Sequence, residues 1–391
     1  MSTVDEHAAL VRSLLQFDLG TETLPLAEAL GRITATATLS PVDLPLFRNS
    51  QMDGFAVRAA DVATTPVTLP IVGEVAARAA APTALEPGTA VRIMTGAVVP
   101  DGADAVIPVE DTTVGENAVS VHRSRSAGEY VRDRGSDVHT GDLLLPQAQL
   151  LSSRHLAVLA AAGIPTVEVV RRARVAIITT GAELVSPGDP VEPGQIYDAN
   201  AVALVAAVAE AGAVVTFARR VFDEPELLLA VLSEAASDAD LILTSGGISK
   251  GDYEVVRELL EPRGAQIAHL AMQPGGPQAT AVFEGTPVIC FPGNPVSTQL
   301  SFEVFVAPVL RELAGLPPAA AKTRLLAVDL RSVPGKRQYL RGRITGEDRV
   351  ETVSGPGSHL VAGLAASDVL IVVAEGVTEL QAGDKVETLE L

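Results

Sequence analysis

Cysteine occurs once in the 391 residues, as Cys290, so no internal disulfide can form. Lysine occurs four times, as Lys250, Lys322, Lys336 and Lys385. Aromatic residues make up 3% of the chain, so the core rests on aliphatic side chains, much of them alanine and valine. No apolar run approaches the roughly 18 residues needed to span a bilayer, so no membrane association is expected. The N-terminus, MSTVDEHAALVRSLLQFDLG, carries acids early and lacks the basic, apolar, small-residue pattern of a secretion signal. With the lone cysteine, this points to the cytoplasm. The six histidines are scattered, none at ligand spacing from another His or Cys, which argues against a structural zinc site. Neither a G-x-x-x-x-G-K-[ST] loop nor a strand-linked G-x-G-x-x-G occurs, which disfavours P-loop and Rossmann folds.

What is present is acid and apolar residues. A net charge of −19 argues against a nucleic-acid partner, whose phosphates need a basic face. It leaves room for a small anionic ligand, because backbone amides or a divalent cation reverse the sign locally. The length suggests two to three domains. Residues 5–39 carry a helical apolar pattern, whose second stretch, LPLAEALGRITATATLS, closes at Pro41. From Pro41 to about Pro146, short β-rich pieces (DGFAVRA, PVTLPIVGEV, TAVRIM, DAVIPVE) alternate with Gly/Pro turns. SSRHLAVLAAAG (152–163) returns to helical periodicity and is expected to pack on the N-terminal helices, making the β-rich piece an insertion.

From Arg174 strands alternate with helices. RVAIITT is a buried strand, NAVALVAAVAEAG a helix capped by Asn200 and closed by Gly212, AVVTFARRV a strand and EPELLLAVLSEAASDA a helix. DLILTSGG, YEVVRELLEPRG, TPVICF and a last helix to about Leu316 follow, so a mostly parallel sheet covered on both faces is expected. After GLPPAAAK the chain turns β again.

In such a sheet, ligands collect beyond the carboxyl ends of the strands. Three loops there are rich in glycine and oxygen donors: TTGAEL (179–184), TSGGISKGDYE (244–254) and CFPGNPVS (290–297). Gly246, Gly247 and Gly293 let backbone amides approach an anion. Thr180, Glu183, Ser245, Ser249, Asp252, Glu254, Asn294 and Ser297 supply oxygens, and Lys250 a charge. Amides for phosphate with carboxylates for Mg²⁺ suit a nucleotide or phosphorylated ligand. Glu183, Glu254 and, in RRVFDEPE, Asp223 fall at strand ends and are candidate metal ligands, although Asp223 also fits a solvated strand end. Cys290 reads as a buried core thiol and His155 as packing or surface.

These residues together resemble the molybdopterin molybdenumtransferases, the bacterial MoeA and gephyrin E-domain family. SPVDLPLFRNSQMDGFAV (40–57), VRIMTGAVVPDGADAVIPVE (91–110), TTGAEL, GQIYDAN, TSGGISKGDYE, FPGNPVS and GPGSHLVAGLAASDVLIVVAEGVTELQAGDKVE (355–387) carry the resemblance over nearly the whole chain. It implies a multidomain protein of α/β plus β class: an elongated domain (1–43 and 141–172), an inserted β-rich domain (44–140), an α/β domain similar to the molybdopterin adenylyltransferases (173–318) and a C-terminal β-barrel (319–391). It implies a homodimer with sites between the α/β domain of one subunit and the inserted domain of the other. The implied reaction takes adenylylated molybdopterin and molybdate, with Mg²⁺, places molybdenum on the dithiolene and releases AMP. Implied protein partners are the adenylyltransferase and recipient molybdoenzymes. The family's functional positions fall on Asp53, Thr95, Arg132, Asp137, Glu183, Asp223, Glu254, Pro292, Pro295, Arg341 and Ser358.

The chain departs from the family pattern in three places. Ala182 stands where an aspartate is frequent, and Glu254 where an aspartate is usual. In QPGGPQ (273–278), Gln273 and Gly276 replace two lysines, removing the usual cations for molybdate. Lys250 is expected to restore part of that charge, with Arg341 and Ser358 completing the anion site. Besides a working transferase, two readings stay open: a specialised or non-catalytic paralogue serving as molybdopterin carrier or scaffold, and an adenylyltransferase acting one step earlier.

Overall fold

The structure, a computed structural model, describes residues 2–16, 18–78, 81–222, 224–248 and 255–391. It divides into two units, Met1–Thr21 with Val170–Leu391, and Glu22–Val169. Among the described residues no helix is long and apolar enough to cross a membrane.

In the first unit, helix α1 (Val4–Leu14) starts in a capping box: the Thr3 hydroxyl accepts from the Glu6 amide at 3.1 Å, and the Glu6 carboxylate accepts from the Thr3 amide at 2.9 Å. The α/β part follows as β1 (Arg174–Thr180), α2 (Ala199–Glu210), β2 (Val214–Val221), α3 (Pro225–Ala236), β3 (Leu241–Ser245), α4 (Val255–Leu260), β4 (Gln266–His269), β5 (Met272–Gln273), β6 (Pro277–Phe283), β7 (Thr286–Phe291) and α5 (Pro295–Ser301). A π-helical turn, Phe302–Val306, joins α5 to α6 (Ala307–Leu313). The sheet order is β2-β1-β3-β7-β6-β4; β2, β1, β3 and β7 are parallel, while β6 and β4 are antiparallel additions.

Alternation explains the two cores. β1 sends Val175 and Ile177 to the face covered by α1, α2 and the α5–α6 segment, and Ala176 and Ile178 to the face covered by α3 and α4. β3 and β7 repeat the pattern, with Ile289 and Phe291 on the first face and Cys290 on the second. Burial on both faces is why these strands read as unbroken apolar runs. One expectation is corrected: α2 is capped by Asp198, whose carboxylate accepts from the Ala201 amide at 3.0 Å, and Asn200 lies inside the helix.

The C-terminal part forms β8 (Ala321–Leu326), β9 (Arg337–Ile344), β10 (Arg349–Thr352), β11 (Val369–Val373) and β12 (Lys385–Glu390). The order β9-β10-β8-β12-β11 closes through a β11–β9 pairing into a five-stranded barrel, and β5 adds to β9 outside the ring. Multidomain α/β plus β architecture is thus what the chain adopts.

The second unit contains a six-stranded sheet in the order Ala105–Pro108, Gly54–Val57, Ala90–Ile93, Val67–Val75, Ala118–Val121, Thr112–Val114. The stretch read as a second N-terminal helix is not one. Thr21–Pro25 is a strand paired with Thr166–Val170, Leu26–Glu28 is a single 3₁₀ turn, and Ile33 and Thr34 form isolated bridges to Leu150 and Val169. Pro25, Gly31 and the β-branched run Ile33, Thr34, Thr36, Thr38 outweigh the apolar spacing. The helix Ser153–Ala161 forms as expected, and its Leu159 packs on Ala29, Leu145, Leu151, Val167 and Val169. Its partners are this extended segment rather than helices, and α1 packs through Val4 and Val11 on the α/β unit.

Candidate functional site

The carboxyl ends of β1, β3 and β7 open into one cavity of about 1090 Å³ within the first unit. That volume lies just above the usual range for small-molecule sites, roughly 300–1,000 Å³. The three glycine loops meet here: Gly181 and Glu183 from the first, Gly246 and Gly247 from the second, and Pro292, Gly293, Asn294 and Pro295 from the third. Loop 273–277 and residues 356–358 of the barrel part complete the wall.

Close approach dictates the glycine at 246. Its φ is 96°, its amide donates to the Phe291 carbonyl at 3.1 Å, and a Cβ there would lie 2.6 Å from the Thr180 carbonyl oxygen. A polar network below holds the floor. The Asn200 side-chain amide donates to Ser245 Oγ and to the Gly293 carbonyl, both at 2.8 Å, and the Thr298 hydroxyl donates to the Pro292 carbonyl at 2.6 Å. Asp198 accepts from the Thr179 hydroxyl at 2.6 Å, so it is occupied internally. Two buried atoms in the wall, Thr180 Oγ1 and Asn200 Oδ1, have no hydrogen-bond partner among the described residues. Leaving such groups unpaired costs on the order of 1–3 kcal/mol each, and ligand donors would remove that cost.

The charges are sparse. Glu183 is exposed at the rim, folded back beside Gly181, where a Cβ would lie 2.8 Å from its Oε2. It is an oxygen donor of the kind a hard divalent cation takes. Its two expected metal partners, Asp223 and Glu254, lie outside the described residues, as do Ser249, Lys250 and Asp252. Among the described residues no group of three or more His, Cys, Asp or Glu is placed to hold a metal.

Two further expected residues stand in the barrel part. Ser358 lines the cavity and its carbonyl accepts from the Val296 amide at 3.1 Å. Arg341 is 2% exposed; its guanidinium donates to Ser354 Oγ at 3.1 Å, to the Gly357 carbonyl at 3.2 Å and to the Gly355 carbonyl. Burial lowers its pKa. It therefore shapes the 354–358 loop from behind and does not line the cavity.

The second unit holds the other expected residues. Asp53 Oδ1 accepts from both the Thr95 amide and the Thr95 hydroxyl, each at 2.7 Å. Those hydrogen bonds, with the nearby positive charge of Arg92, hold the Asp53 carboxyl below its usual range. Arg132 pairs in register with Asn49 and donates to its Oδ1 at 3.4 Å. Asp137 is exposed, with its amide on the Leu44 carbonyl at 2.9 Å. The structure thus joins Asp53 to Thr95 and brings Arg132 to the same 49–53 stretch.

Sequence reasoning missed three cavity residues: Asn200 as a floor donor, His269 and Lys336. Lysine scarcity, applied only to Lys250, marks Lys336 equally well, since it too sits in a glycine turn, PGKRQ.

Three family profiles match in order: "MoeA N-terminal region (domain I and II)" over residues 2–163, "Probable molybdopterin binding domain" over 176–312 and "MoeA C-terminal region (domain IV)" over 323–391. Molybdopterin molybdenumtransferase 2 of Mycobacterium tuberculosis is 39% identical, with 100% of each chain covered. The molybdopterin molybdenumtransferase of a Nostoc species is 38% identical over 100% of this chain and 94% of its own. A crystal structure of a molybdopterin biosynthesis MoeA protein from Pyrococcus horikoshii superposes with a TM-score of 0.84 at 32% identity, covering 100% of this chain and 99% of that one. The chain belongs to the molybdopterin molybdenumtransferase family.

Proposed function

We propose that this transferase inserts molybdenum into molybdopterin by taking the adenylylated form and molybdate: water cleaves the phosphoanhydride to release AMP, and the dithiolene sulfurs replace molybdate oxygens, which leave as water. The observation that carries the reading is the convergence of three glycine loops on one cavity large enough for a nucleotide-linked ligand. Backbone amides of Gly246, Gly247 and Gly293 can approach phosphate oxygens where a side chain would block them. Asn200 Oδ1 and Thr180 Oγ1, without partners among the described residues, offer acceptors to donors on the ligand. Glu183, with Asp223 and Glu254, would hold Mg²⁺; when bound, that ion neutralises charge on the leaving phosphate.

The Asp53–Thr95 pair, with Arg132 and Asp137, forms the second half of the reading. Hydrogen bonds hold the Asp53 carboxyl below its usual range, so it stays an anionic acceptor at neutral pH. We assign the working form as a homodimer in which these residues face the α/β cavity of the other subunit, in the cytoplasm, with the adenylyltransferase and molybdoenzymes as protein partners.

The test is AMP release from adenylylated molybdopterin with and without molybdate. Molybdate-stimulated release supports the transferase. Tight binding without release supports the carrier reading, which Gln273 and Gly276 favour because both lack the usual charge. Turnover of ATP with molybdopterin points instead to the adenylyltransferase.

A further inference from the structure

A cavity that receives an oxyanion needs positive charge, and here the arginines near loop 273–277 are already committed. Arg337 is held by the Asp5 carboxylate at 2.7 and 2.9 Å and by Glu375 at 3.1 Å. Arg341 is buried on the 354–357 loop. Lys336 differs from both. It lines the cavity, is half-buried, and among the described residues takes part in no ion pair or hydrogen bond.

Strand pairing places it. In the parallel β5–β9 register Met272 lies opposite Arg337 and Gln273 opposite Gln338, and the Arg337 amide donates to the Ala271 carbonyl at 2.8 Å. Neighbouring strands lie about 5 Å apart, and the register continued back by one residue sets Lys336 beside Ala271, two residues before loop 273–277. Gln338, two residues on and inside β9, donates from its side chain to Gln273 Oε1 at 2.5 Å. Across the loop, a Cβ at Gly276 would meet the His269 ring at 3.1 Å from Cε1 and 3.2 Å from Nε2. The imidazole therefore occupies the space through which a longer side chain at 276 would run, and His269 and Lys336 both line the cavity.

We propose that Lys336 and the His269 imidazole form the oxyanion subsite of this cavity and bind molybdate in place of lysines at 273 and 276. The proposal rests on the transferase reading for the identity of the anion. Lysine serves as a point charge without fixed bidentate geometry, so a displaced ammonium can replace one lost from another strand. His269 adds an N–H donor in either tautomer.

Equilibrium dialysis of molybdate against the full-length protein, read by elemental analysis, tests it without requiring turnover. Lys336→Met should weaken molybdate retention by about tenfold or more, and Lys336→Arg should hold it within about threefold of wild type. Thermal unfolding run in parallel confirms that both variants are folded. Equal retention by wild type and Lys336→Met, or no retention by wild type, overturns the subsite. AMP release measured separately keeps the two readings apart. Wild-type release whose molybdate dependence is unchanged in Lys336→Met removes the subsite and leaves the transferase intact. Retention that depends on Lys336 without AMP release supports the subsite and removes the transferase.

Discussion

Single residues in this chain are decided by what surrounds them. Glu183 and Asp198 both line the cavity, yet only Glu183 is available, because Asp198 is held by the Thr179 hydroxyl and the Ala201 amide. Changing Glu183 to Gln keeps its shape and removes its charge, so metal-dependent AMP release should fall about a hundredfold or more. An unaltered rate across a magnesium titration would take Glu183 out of the metal site. Cys290 shows the opposite case. Full burial pushes its thiol up to about 12, against a smaller opposing effect of the Thr244 side chain. At pH 8 the folded protein then holds roughly one thiolate per ten thousand chains. Native labelling with a thiol reagent should be negligible, and denaturant should expose one reactive thiol per chain. Prompt labelling of the native protein would contradict its placement between β7 and the α3–α4 layer.

At the scale of elements, His7 joins Val4 and Val11 on the buried face of α1. The His7 ring meets Phe305 of the π-helical turn edge to face, with centroids 4.7 Å apart, and its buried Nε2 has no partner among the described residues. Burial lowers its pKa to about 4. The unfolded chain therefore binds a proton near pH 6.5 that the folded chain refuses until about pH 4. Stability from this group is fully present above 6.5 and is lost as pH falls through that window, by at most about 3 kcal/mol. Urea midpoints of wild type should drop between pH 7 and 4.5 more steeply than those of His7→Leu, and parallel slopes would rule this out. The elements legible in the sequence were those whose pattern agreed with their propensity. β1, β3 and β7 read as strands because both faces are buried, and the loops after them announced the cavity through glycine. The segment after α1 misled because apolar spacing suggested a helix where Pro25, Gly31 and clustered threonines dictate extended chain. His269 could not be read as a site residue, since only the turn at Gly276 brings it to the cavity, and lysine scarcity marks Lys336 without saying that it lines the cavity.

For the whole molecule, the two groups of functional residues fall in different units. Glu183 and the glycine loops belong to the unit containing Val170–Leu391, and Asp53, Thr95, Arg132 and Asp137 to Glu22–Val169. A reaction that needs both groups can draw them from two subunits, which is the homodimer proposed above. The consequence is a complementation experiment. Asp53→Asn removes the charge that accepts both Thr95 donors, and Glu183→Gln removes the rim carboxylate, so each homodimer should be strongly impaired. Asp53 is exposed and an asparagine Oδ1 can still accept from Thr95, so Asp53→Asn should fold as wild type does. In a mixed dimer, one composite site takes its second-unit residues from the Glu183→Gln chain and its cavity from the Asp53→Asn chain, and so retains both carboxylates. With equal amounts of the two chains and free exchange, half of the dimers are mixed and each carries one intact site. AMP release should then recover to about a quarter of the wild-type rate per subunit. Sedimentation verifies the dimer, and differently tagged chains verify exchange. Monomers in sedimentation, or proven exchange with no recovery, would mean that the Asp53 group and the α/β cavity act within one chain or in separate steps.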